Sequence, residues 1–83
     1  MTSYVATFHT HLGALLSNRS LGTAGLSPRM TPVPRKLSSS CGTCVRYEAD
    51  EPHFELMDGD LEAVYAVTGS DGFRRVEASG NES

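Results

Sequence analysis

Three of the chain's four prolines, Pro28, Pro32 and Pro34, fall in one short stretch that runs into the chain's two cysteines, Cys41 and Cys44. Proline has no backbone N–H to give to a ladder, so this stretch belongs neither in a helix interior nor in a central strand. "AGLSPRMTPV", with apolar Leu26, Met30 and Val33, is therefore expected as an edge strand, with a turn over residues 34–43 behind it.

The flanking segments supply the rest of a sheet. "SYVATF" alternates as a half-buried strand does, with Tyr4, Ala6 and Phe8 on one face and Val5 and Thr7 on the other. "CVRYEA" (44–49) sets Cys44, Arg46 and Glu48 against Val45 and Tyr47, and "LEAVYAVTG" (61–69) reads as a fourth strand. Between the first two strands, "HTHLGALLSNRSLG" offers Thr10 as an N-cap and an apolar stripe of Leu12, Leu15, Leu16 and Leu21. Gly22 is its expected stop. Gly13 weakens this helix by about 1 kcal/mol relative to alanine. "DEPHFELMDGD" suggests a second, two-turn helix with Pro52 near its start and Phe54, Leu56 and Met57 as its apolar residues.

The order βαββαβ predicts an α+β, ferredoxin-like sandwich: a four-stranded antiparallel sheet, order 4-1-3-2, with two short helices. Residues 1–69 form the expected single domain. Residues 70–83 are expected as a partly disordered C-terminal extension, with one short strand at Phe73–Val76. In that topology the ends of strands one and two, the start of strand three and the N-terminus of helix one share one edge of the sheet. His9, Thr10 and His11 are thus expected beside Arg35, Lys36, Cys41 and Cys44.

Eighty-three residues with 39% hydrophobic content support one small core. No apolar run approaches the roughly 20 residues of a spanning helix, and "MTSYVATF" lacks the pattern of a signal peptide, so no membrane association and a cytoplasmic location are expected. Charge is divided sharply. Residues 1–47 hold five cations and no acid, whereas residues 48–83 hold all ten acids and only Arg74 and Arg75. The two parts either compensate each other in the fold or leave an electropositive region around the cysteines that favours a thiolate or an anionic ligand. The five cations lack aromatic interleaving, so nucleic acid is not an expected partner.

Only the thiolate is a nucleophile. Near Cys41 the helix-one N-terminus, Arg35, Lys36 and the amides and hydroxyls of Ser38, Ser39 and Ser40 could all stabilise an anion. Gly42 is expected to remove a side chain that would crowd Cys41. C-x-x-C is also the spacing of dithiol redox proteins and of half a zinc site. A redox pair usually precedes a helix, and here a strand follows. Zinc would require Cys41, Cys44, His9 and His11 together. His53 stands apart on the acidic segment. A glycine-rich phosphate loop, a G-x-S-x-G elbow and an EF-hand loop are all lacking.

The segment "TPVPRKLSSSCGTCVRYE" (31–48) resembles the sulfur/selenium carrier-like family, small domains marked by Pro-x-Pro-Arg-x-x-Ser-Ser-x-Cys-Gly ahead of a strand. Pro32, Pro34, Arg35, Ser38 to Ser40, Cys41 and Gly42 fit that pattern, and the resemblance spans roughly residues 4–67. It implies a bacterial carrier, rather than a stand-alone enzyme, that takes persulfide-type sulfur or selenium on Cys41 from a donor protein and hands it to an acceptor. No cofactor is implied. Cys44 lies where the family commonly has an apolar or small residue; as a resolving thiol it would release the cargo by forming a disulfide with Cys41. The segment from Glu48 to Ala63 is short for the family, so one sheet face is expected to be partly bare and suited to homodimerisation. The alternatives are a non-catalytic metal-binding or interaction module built on the two cysteines, and a small dithiol redox protein.

Overall fold

The alternation in the first strand divides the molecule into two sides. A computed structural model describes residues 1–69 and 72–77. Its elements are β1 (Thr2–Phe8), α1 (His11–Thr23), β2 (Arg29–Pro32), β3 (Thr43–Ala49), a 3-10 turn (Phe54–Leu56), β4 (Leu61–Thr68) and β5 (Gly72–Val76). The strands form one sheet in the order β2-β3-β1-β4-β5, and every adjacent pair is antiparallel. Tyr4, Ala6 and Phe8 of β1, Val45, Tyr47 and Ala49 of β3, and Val64 and Ala66 of β4 make the core with Ala14 and Leu21 of α1. The proline-limited strand β2 is at an edge and only four residues long.

The mixed α+β class holds, but the expected four strands and two helices are five strands and one helix. Chain length explains the lost helix. β3 ends opposite Thr2 and β4 begins opposite Phe8, so residues 50–60 must run the length of β1. Seven strand residues span about 23 Å, whereas eleven helical residues would cover only about 16 Å. The connection stays mostly extended, with His53 in the left-handed region at φ 57 and the 3-10 turn after it. Phe54, Leu56 and Met57 still pack against the core. These residues cover part of the sheet surface expected to be bare. β5 pairs with β4 from Thr68↔Gly72 to Val64↔Val76, carrying the sheet beyond residue 69. The disorder expected for the last five or six residues falls outside the described residues.

α1 also differs from its expected orientation. Its buried residues are Gly13, Ala14, Ser17 and Leu21, while Leu12, Leu15 and Leu16 are exposed at 59%, 39% and 37%. A small-residue face lets the helix lie close to the sheet and to the loop before β4. A Cβ on Gly13 would lie 2.7 Å from Cβ of Asp60, and the Ser17 hydroxyl accepts from the Asp58 amide at 2.8 Å. Leucines would not fit in that space. The helix runs through Gly22, the expected stop, and ends one residue later, at Thr23. Gly25 adopts φ 87, its amide donates to Gly22 O at 3.0 Å, and the Leu26 amide donates to Leu21 O at 3.1 Å. This is a Schellman termination, closed by Leu26 and Leu21 both packing into the core.

The helix orientation has a direct test in chemical denaturation. Leu21→Ala should cost about 2–5 kcal/mol, whereas Leu12→Ala should stay within about 0.5 kcal/mol. Gly13→Ala, which raises helix propensity, should nevertheless lower stability because of Asp60. Stabilisation by Gly13→Ala would contradict this packing.

Candidate functional site

Pairing of β1 with β3, of β3 with β2 and of β1 with β4 collects the chain ends at one end of the sheet. Thr7 and Thr31 both oppose Cys44, Pro32 opposes Thr43, and Phe8 opposes Leu61. The loop from β2 to β3 is closed at its base by Val33 N–H donating to Gly42 O at 3.1 Å, and a turn within it is closed by Leu37 N–H donating to Pro34 O at 3.0 Å. Gly42 adopts φ 75, which L side chains rarely adopt, and a Cβ there would meet nothing within 4 Å. Glycine is thus required by backbone conformation.

Both cysteines are free, and they differ in environment. Cys41 is partly exposed at the rim of the core, with the Thr43 carbonyl 3.4 Å and the Ser39 hydroxyl 4.0 Å from its sulfur. Cys44 is fully buried, its sulfur 3.2 Å from the Thr31 hydroxyl and 3.6 Å from the Pro32 carbonyl. Burial pushes the Cys44 thiol up, outweighing the Thr31 hydrogen bond and the Arg46 charge, and the neighbouring Cys41 adds to the rise.

The serine-rich turn does hold an anion, and that anion is the chain's own. Ser40 donates from its amide (3.2 Å) and its hydroxyl (2.8 Å) to the Glu62 carboxylate, and His9 Nδ1 lies 3.2 Å from the same group. Ser39 donates its hydroxyl to Phe8 O at 2.9 Å. The loop carrying Cys41 is therefore pinned to the end of β1 and the start of β4. Burial raises the Glu62 carboxyl, but the Ser40 hydroxyl and amide, the Ser39 hydroxyl and His9 together outweigh it and hold the group below the usual glutamate range.

The helix N-terminus is similarly engaged. Thr10, the expected N-cap, accepts from Gly13 N–H at 3.0 Å and donates to Asp60 at 2.5 Å, while Asp60 N–H donates to Asp58. Carboxylates from the connection before β4 thus meet the helix end that was expected to serve the thiolate. His11 is exposed in the first turn of α1, and Arg35, Lys36 and Ser38 are exposed on the turn. Among the described residues, the polar contacts of the Cys41 sulfur are those to Ser39 and Thr43. Also among the described residues, no three His, Cys, Asp or Glu side chains gather as metal ligands. His53 lies away from this end, 3.0 Å from Glu55.

Sequence reasoning missed Glu62, Asp58 and Asp60. The available signal was "DGDLE" at the start of the fourth strand, which antiparallel pairing with β1 returns to the same end of the sheet.

A family profile described as "Putative Se/S carrier protein-like" matches residues 3–57. The chain is 31% identical over 45 residues to "Uncharacterized protein YtiA" of Escherichia coli (strain K12), an alignment covering 54% of this chain. The chain spans about half the length of that relative, 53%. No solved structure matches.

The Glu62 clamp predicts an acid-limb dependence. A depressed folded-state value contributes stability that is complete above the unfolded glutamate value of about 4.3 and is lost as pH falls through the lower folded value. The Ser40 amide resonance should titrate with a midpoint below the ordinary glutamate range, and Glu62→Gln should abolish that titration. A midpoint above the range would contradict the clamp.

Proposed function

The chain belongs to the Se/S carrier-like family, and on that footing we propose that it carries persulfide-type sulfur or selenium on Cys41 between partner proteins. The observation that carries the assignment to Cys41 is the contrast between a free, partly exposed thiol on a pinned loop and a second thiol that is fully buried. A transfer protein needs its reactive sulfur where a partner's sulfur can reach it, on a support that does not wander.

In the forward step the Cys41 thiolate attacks the outer sulfur of a donor persulfide. The donor S–S bond breaks, the donor's own sulfur leaves as a thiolate, and Cys41 holds the outer sulfur. An acceptor thiolate repeats the same displacement on Cys41. The Ser39 hydroxyl lies 4.0 Å from the sulfur and, by donating to Phe8 O, holds the loop there. Ser40 and Gly42 shape the loop, and Arg35, Lys36 and Ser38, exposed on the turn, meet the negative charge of an incoming persulfide. Glu62, with His9 beside it, sets the loop's position, and Thr10 caps the neighbouring helix.

Cys44 is the resolving thiol in this scheme. Its thiolate attacks the inner sulfur of loaded Cys41, hydrosulfide or hydroselenide leaves, and the resulting Cys41–Cys44 disulfide is returned to two thiols by an external dithiol. Because burial disfavours the Cys44 thiolate, this release is slow at neutral pH and handover to an acceptor thiol predominates.

Incubation with a cysteine desulfurase and cysteine should add the mass of one sulfur, about 32 Da, to Cys41, and none in Cys41→Ser. An unmodified wild-type chain under those conditions would end the carrier reading, while a stable disulfide with a thioredoxin-like potential in its place would favour a dithiol redox protein. Sulfide release from the loaded protein should rise with pH through and above the ordinary thiol range, about 8.5, and should disappear in Cys44→Ser. Release at the same rate across neutral and alkaline pH would remove Cys44 from the mechanism.

A further inference from the structure

A cavity of about 370 Å³ opens on the outer edge of β3, two residues along the strand from Cys44. It exists because the β2 ladder stops early. Pro28 has no N–H, Ser27 is in the left-handed region at φ 50, and the last register pair is Arg29↔Arg46. Tyr47 and Glu48 therefore have no partner in β2, and the segment at Leu26 and Ser27 forms the opposite wall.

Arg29 and Arg46 both line this cavity. They are directly opposed in an antiparallel pair, so their side chains leave the same face of the sheet, where like charges repel. Among the described residues, no carboxylate lies within ion-pair distance of either guanidinium. Glu48 also lines the cavity, but its carboxylate accepts from the Ser3 hydroxyl at 3.3 Å. Tyr4 and Tyr47, which also line the cavity from the core face of the sheet, stack with centroids 5.3 Å apart, and the Tyr47 hydroxyl is tied to Pro52 O.

We propose that this cavity is a binding site for a phosphate-type oxyanion, free or as a monoester, held between Arg29 and Arg46. Guanidinium groups bind tetrahedral oxyanions through paired, charge-assisted hydrogen bonds. A dianion between the two removes their mutual repulsion, and the hydroxyl of Ser27 at the same cavity offers a further donor. The volume lies at the lower end of the range for ligand sites, about 300–1,000 Å³, which leaves room for an esterified group. Glu48 opposes the anion and sets an upper limit on affinity. The site is independent of Cys41 chemistry and stands or falls separately from the carrier function.

The test is an amide-resolved NMR titration of the full chain at low ionic strength, once with inorganic phosphate and once with adenosine monophosphate. Saturable shifts at Ser27, Arg29 and Arg46 are expected with one or both. Tighter binding of the nucleotide identifies a monoester as the ligand, and equal binding identifies the phosphate group alone. Arg29→Gln and Arg46→Gln should each weaken binding by about tenfold or more. Glu48→Gln should tighten it, and Arg19→Gln, on the exposed surface of α1, should leave it unchanged. Both arginine variants should melt no lower than the wild type in phosphate-free buffer, since each relieves a like-charge pair. No saturation by either ligand below about 10 mM, or equal weakening by Arg19→Gln, overturns the site.

Discussion

β1 is paired along both edges, to β3 on one side and β4 on the other, and its end at Phe8 fixes where the other chain ends meet. From that double pairing follow the position of Cys44 opposite Thr7 and the return of Leu61 and Glu62 to the same end of the sheet. The loop bearing Cys41 then hangs between them, with Ser39 bonded to Phe8 O and Ser40 to Glu62. A slip of one residue in β1 would exchange Tyr4, Ala6 and Phe8 with Val5 and Thr7 and would move each of these anchors. The support for the loop of Cys41 is thus the core pairing itself.

The same pairing constrains the helix layer. With one helix available, close contact with the sheet matters more than apolar bulk, and Gly13, Ala14 and Ser17 provide it. Phe54, Leu56 and Met57 complete the layer from a connection that must stay extended to reach β4. Counting leucines at helical spacing pointed to Leu12, Leu15 and Leu16 because hydrophobicity was read without distance. The steric information lay in Gly13 and in the acids of "DGDLE", which no periodicity registers.

Strand positions and faces were legible because alternation depends only on neighbouring residues. "SYVATF" and "CVRYEA" present the expected residues to the core, and Pro28 and Pro32 do confine β2 to an edge. The meeting of the strand ends followed from connectivity. The partners of the polar groups did not, since a sequence shows donors such as Ser39 and Ser40 without showing which acceptor the fold returns to them. Glu62 and Asp60 lie 22 and 50 residues from the groups they bind. The positive φ of Gly42 was not legible either, because φ is not visible in residue type.

The charge division along the chain takes on a specific meaning in the fold. Three acids of the second part are held by neutral donors of the first: Glu62 by Ser40, Asp60 by Thr10, Glu48 by Ser3. Neutralising carboxylates with hydroxyls and amides leaves Arg29, Arg35 and Arg46 without carboxylate partners among the described residues. Their charge is therefore not consumed in holding the fold together. Two of the three line a cavity and the third is exposed on the loop of Cys41. A chain with net charge -3 can in this way present positive charge locally, because these acids are hydrogen-bonded to neutral donors rather than paired with its arginines.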